Sequence, residues 1–219
     1  FMTKEDSADN LNAGTAVLFE TVPFNPGEGI FIIDEPEDLI RLSSEPTAHS
    51  EVLLVKDLNM SETEGWAPIE GFNGLFNGAG HTISGLNDAV FGTLNGEVRN
   101  LTVDADISKR DIYIGALASV VSATGKVTSS TVKGRVAVSG TQTTAVYIGG
   151  IAAVNYGEIT SSNVNAELCI PADAASGATY IGGITGYSTG SLSKLTSDSR
   201  IECHGTIGNS FCGSIAGYI

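Results

Sequence analysis

The sequence predicts an all-β fold: a parallel β-solenoid with about one coil per repeat of 31 to 34 residues and an N-terminal strand-and-helix cap. Three observations predict it. One phrase returns four times, as Tyr113-Ile-Gly-Ala-Leu, Tyr147-Ile-Gly-Gly-Ile, Tyr180-Ile-Gly-Gly-Ile and Phe211-Cys-Gly-Ser-Ile, at intervals of 34, 33 and 31 residues. A fixed period of this size marks a stacked-repeat architecture. Within each unit apolar residues alternate, as in Val132-x-Gly-x-Val-x-Val138 and Val164-x-Ala-x-Leu-x-Ile170. Alternation puts one face of a strand inside. Finally, 27 glycines and only 16% charged residues suit short strands separated by turns. Helical repeats of similar length need 3.6-residue spacing, and no unit has it.

The elements follow in order. Residues 1–29 form a polar leader, with residues 14–24 as an expected edge strand ended by Pro23 and Pro26. Residues 30–219 form the solenoid, with a capping strand and helix over 30–58, irregular first coils over 59–95 and regular repeats over 96–219. Gly29-Ile-Phe-Ile-Ile33 reads as a strand. The stretch from Asp34 to Ser44 reads as a helix, because acidic residues surround its start, Pro36 lies early, and Leu39, Ile40 and Leu42 share one side. An amphipathic helix there covers the open first coil. Glu51-Val-Leu-Leu-Val-Lys-Asp57 is the next strand. The glycines at 74, 78, 80 and 85 predict tight corners between very short strands.

Aligning Gly96, Gly125, Gly157 and Gly190 produces apolar columns, Val98/Val127/Ile159/Leu192 and Ile107/Val136/Leu168/Ile201. It also produces outward charged columns: Asp106/Arg135/Glu167/Arg200, Glu97/Lys126/Glu158/Ser191 and Asp104/Lys133/Asn165/Asp198. Opposite charges on neighbouring strands favour this register, whereas like charges oppose it. The alignment places Cys203 inward and Cys169 outward, opposite Glu202, so no Cys169–Cys203 bond is expected. Cys212 falls in the column of Ile114, Ile148 and Ile181 and is expected to be a small core residue. Three thiols are expected to titrate.

The net charge of −14 argues against nucleic acid, which requires basic patches. The acidity is concentrated at the front, where residues 1–70 hold 15 acids and 3 bases. No apolar run is long enough to span a membrane. The chain opens without a basic and apolar leader, which is expected of a form whose export signal has been removed.

These units resemble GLUG-motif repeats. The cores that carry the resemblance are Ala116-Leu-Ala-Ser119, Gly150-Ile-Ala-Ala153, Gly183-Ile-Thr-Gly186 and Ser214-Ile-Ala-Gly217. Upstream, Trp66-x-Pro-Ile69 and the run from Phe76 through Asn-Gly-x-Gly-His-Thr-Ile-x-Gly to Leu86 are similar to the segment that precedes such repeats. The resemblance covers residues 30–219. Only Gly183–Gly186 keeps both flanking glycines, and Ile replaces Leu in three cores. The resemblance implies an exported bacterial surface or secreted protein of Bacteroidetes type, in which the repeats accompany adhesive or protease modules.

Candidate sites are few. Tyr113, Tyr147, Tyr180 and Phe211 precede an inward column and are expected to point outward as a stripe, a platform for ligand or a stiffening stack. Loops 139–145, 171–179 and 204–210 vary in length and leave the same corner, where binding is expected. Asp104 and Asp106 lie about 7 Å apart on one strand face. That spacing would suit glycoside hydrolysis, yet Lys133 and Arg135 face them in the next coil. His81 reads as a structural hydrogen-bonded histidine, and His49 and His204 as loop residues. No metal or cofactor site is expected. Around Asp34–Asp38 an exposed cap is expected, with calcium binding as the alternative. The expectation is a monomeric, noncatalytic binding or adhesion module for surface glycan or protein. A β-helix polysaccharide enzyme and a structural stalk are the alternatives.

Overall fold

The computed structural model describes residues 29–171, Ala174, 177–203 and 210–219. The expected strand at 14–24 and His204 lie outside the described residues. The chain winds as a β-solenoid in which every strand pairing is parallel. Four sheets run along it, one on each side of the coil. Sheet 1 stacks Phe31–Ile33, Glu51–Leu54, Leu75–Asn77, Glu97–Arg99, Lys126–Thr128, Glu158–Thr160 and Ser191–Ser193. Sheet 2 stacks Leu58–Asn59, Thr82–Leu86 and the long strands Thr102–Lys109, Thr131–Val138 and Asn163–Ile170, followed by Thr196–Ser197 and Arg200–Cys203. Sheet 3 carries the tyrosine phrase in Tyr113–Gly115, Val146–Gly149, Thr179–Gly182 and Ser210–Gly213. Sheet 4 comprises Phe91–Leu94, Ala118–Val121, Ala152–Asn155, Thr185–Ser188 and Ala216–Tyr218. From Glu97 onward the chain completes four full coils. The first strands skip sheet 3, and the buried, mutually packed rings of Phe72, Phe76 and Phe91 fill that irregular end.

Registers match the aligned columns. Val127 pairs with Val98 and Ile159, and Val136 pairs with Ile107 and Leu168. All six are fully buried, as the alternating pattern requires. Pairing in parallel strands keeps equivalent residues opposite one another, so a one-residue slip would turn every apolar column outward. The helix Pro36–Ser44 stands where the Pro36 signal puts it. The Asp38 carboxylate accepts the Glu35 N–H at 3.3 Å, and Leu39 and Leu42 enter the same core as Phe31 and Val52.

The charged ladder is present in register but only partly closed. Arg135 lies between Asp106 and Glu167 and pairs with Glu167 at 3.8 Å; Lys126 reaches Glu158 at 3.4 Å. Arg200, opposite Glu167, turns instead to Glu202 of its own strand. These groups are well exposed, so the gain is about 0.2–1 kcal/mol per pair.

One expectation is corrected. Cys212 holds the predicted register with Ile181, yet it is exposed, because no described strand stacks beyond its coil. His49 lies in a connection, as expected, and is buried there with its ring stacked on Phe31 at 4.2 Å. Burial lowers its pKa from the usual histidine value, with the nearby Glu45 carboxylate opposing and the Arg41 guanidinium reinforcing that shift.

Gly80 and Gly85 adopt left-handed backbone at the early corners where glycine was expected, but non-glycine residues do so too. Ala79, Asn100, Ser129, Ser161 and Lys194 adopt left-handed backbone at the turn between sheets 1 and 2 in successive coils. The glycine of the recurring phrase has a different reason. A Cβ on Gly115, Gly149, Gly182 or Gly213 would lie 2.0–2.2 Å from the carbonyl oxygen three residues on. Only a hydrogen fits beneath the turn from sheet 3 to sheet 4.

Candidate functional site

The strands of sheets 3 and 4 contain no charged residue, while sheets 1 and 2 carry the whole ladder of acids and bases. On this uncharged side the four phrase aromatics come together. Tyr113, Tyr147, Tyr180 and Phe211 occupy one register column. Their rings stack with centroids 5.4, 4.7 and 4.9 Å apart, the last two pairs within 6° of parallel. Those spacings match the distance between hydrogen-bonded strands, so the coil itself sets the stack.

A second row, which the sequence reading missed, lies beside the first. Tyr187 and Tyr218 pair in register on sheet 4 and stack at 5.7 Å. They meet the first row at right angles, with Tyr187 against Tyr147 and Tyr218 against both Tyr180 and Phe211. Tyr156, in the turn after Ala152–Asn155, adds a seventh ring against Tyr187. The available signal was a tyrosine seven residues after the phrase aromatic in the last two repeats; in the preceding repeat that position is Val154.

The patch is half open. Tyr113, Tyr156, Phe211 and Tyr218 are 37–49% exposed, while Tyr147, Tyr180 and Tyr187 are half-buried among them. Burial raises the Tyr147 phenol above its ordinary pKa, and the neighbouring phenols Tyr180 and Tyr113 add to the shift. The hydroxyl therefore stays protonated, able to donate and accept, across the physiological range. In the stacked row, neighbours cover the faces of the inner rings, which leaves their edges and hydroxyls to meet a ligand.

The other candidates stay apart from this patch. Asp104 and Asp106 are exposed on sheet 2, opposite Lys133 and Arg135. His81 Nδ1 lies 3.2 Å from Asp57, whose carboxylate also accepts the Thr82 N–H at 2.8 Å. That backbone hydrogen bond, followed by the His81 bond, lowers the Asp57 pKa. A groove of about 650 Å³ runs along the corner lined by Thr47, Asn73, Asn95 and Thr124, with Glu97 and Lys126 at its side. It is the seam left by stacked turns. Among the described residues no group of three or more His, Cys, Asp or Glu side chains converges, and no helix is long and apolar enough to cross a membrane.

Neither a family model nor a curated protein matches this chain. Among solved structures, the chain is similar to a "putative immunoglobulin A1 protease" from Bacteroides ovatus. The two share 15% identity over 84% of each chain, with a TM-score of 0.47.

Proposed function

We propose that this chain is an exported, noncatalytic binding module that recognises a protein surface through the aromatic face of sheets 3 and 4. The carrying observation is the seven-ring array on a side with no strand charge. Exposed tyrosines on a rigid sheet supply apolar area and hydrogen-bonding hydroxyls at little entropic cost, the composition that interfaces favour. A stack with covered faces favours a protein over a glycan ligand, since sugars pack on open ring faces. The resemblance to GLUG-motif repeats supports a cell-surface or extracellular, Bacteroidetes-like setting and a role in adhesion.

The test is binding to an array of surface proteins and, in parallel, an array of glycans. Binding to protein is expected to fall about 30-fold for Tyr187→Ala, a loss of roughly 2 kcal/mol. It should change little between low and high salt, because none of the seven rings is charged. Selective glycan binding would replace the protein reading. Polysaccharide turnover that Asp104→Asn abolishes would favour the enzyme instead. A stalk would bind neither array, and deleting one repeat would alter only its reach.

A further inference from the structure

Two inward columns converge at the corner between sheets 2 and 3. In one coil the column positions hold Val138 and Ile148, in the next Ile170 and Ile181, all buried. In the last coil both positions are cysteine: Cys203 pairs with Ile170 and Cys212 with Ile181. Two of the chain's three cysteines thus occupy one corner. Contacts at that corner are close. The Cys203 and Cys212 side chains lie close enough to interact. Thr179, one coil earlier, has its hydroxyl 3.7 Å from Cys203 Sγ and donates to Ser210 at 2.9 Å, so it touches both strands. Both sulfurs are thiols in the structure.

We propose that Cys203 and Cys212 are an intramolecular disulfide site that closes this corner and holds Phe211 in register beside Tyr180. The oxidant is a low-molecular-weight disulfide such as glutathione disulfide. Exposed Cys212, as thiolate, attacks one of its sulfurs, forming a mixed disulfide and releasing one glutathione. Cys203, as thiolate, then attacks the Cys212 sulfur and displaces the second glutathione. Two electrons leave the pair, and the two thiol protons end on the two glutathiones. Partial burial, with the Cys203 side chain beside it, pushes the Cys212 thiol up to about 12, so the reaction accelerates with pH above neutrality. Cys169, buried and opposite Glu202, takes no part.

The full chain, incubated with glutathione disulfide at pH 8.5, is alkylated in denaturant and mapped by mass spectrometry. Two thiols are expected to disappear into one linked species joining the peptides of Cys203 and Cys212, two hydrogens lighter, with Cys169 alkylated. Cys169→Ser should behave alike, and Cys212→Ser should lose the link while keeping the fold by circular dichroism. Three alkylated thiols, a persistent glutathione adduct without closure, or a link through Cys169 would each overturn the proposal. The readout needs no ligand, so it is independent of the binding role.

Discussion

At the residue scale, chemistry is set by what each coil places above and below a side chain. His49 is neutral where it stacks on Phe31, and burial lowers its pKa. An unfolded chain binds the proton near 6.5, so the unfolded state holds more protons in the window between the lowered value and 6.5. Stability should therefore fall as pH drops below 6.5, and His49→Phe should flatten that part of the curve in urea titrations. Tyr147 has the opposite sign. Its raised pKa keeps the folded phenol protonated where the unfolded one ionises, so its contribution is lost as pH rises above about 10. Ultraviolet titration should show a late-ionising phenol that returns to the ordinary range on unfolding or in Tyr147→Phe. The glycines separate just as cleanly. At Gly182 an added Cβ meets the Thr185 carbonyl at 2.1 Å, whereas at Gly140 the φ is +67° but the nearest atom is 3.6 Å away. Gly182→Ala is expected to cost about 3 kcal/mol or more, and Gly140→Ala about 1 kcal/mol, measured by chemical denaturation.

At the element scale, the sheets divide the labour. Sheets 1 and 2 carry stacked opposite charges, and sheets 3 and 4 carry stacked rings. Arg135 separates Asp106 from Glu167 on adjacent strands. Arg135→Glu would place three acids in one column, and a destabilisation of about 1 kcal/mol is expected at low salt, largely relieved at 1 M. Persistence of the full loss at high salt would mean that the stem of Arg135, not its charge, matters. The aromatic rows explain why the Tyr-Ile-Gly phrase has its form: the tyrosine faces out, the isoleucine fills the core, and the glycine lets the chain turn under a carbonyl. The first row was legible because register can be counted from the period. The second was not, because Val154 breaks its column and only the turn geometry brings Tyr187 against Tyr147.

At the scale of the whole molecule, each coil touches chiefly its neighbours, so stability accumulates by nearest-neighbour stacking. Burial is uneven along the stack. Every regular coil up to Ser188 contributes fully buried residues, while beyond Ser188 no described residue is buried. Hydrogen exchange should therefore be slowest in Thr131–Val138 and Ala152–Asn155 and fastest in Ser191–Ser193 and Ala216–Tyr218. Uniform protection along the chain would contradict that gradient. If the cysteine corner closes, protection of Ser210–Gly213 should rise selectively.

The amino-acid sequence alone determined the solenoid, its register, the inward and outward faces and the tyrosine column, because a period-two pattern repeated at a fixed interval leaves one stacking that buries every apolar column. It also determined the capping helix, through Pro36 and the apolar side formed by Leu39 and Leu42. The tertiary structure alone decided what happens at the corners and between sides. It put non-glycine residues in left-handed turns, buried His49, exposed Cys212, brought Cys203 against it, and set the second tyrosine row across the first. Those contacts join residues on different sides of a coil. Their geometry depends on how sharply the backbone turns, which a column of aligned letters does not encode.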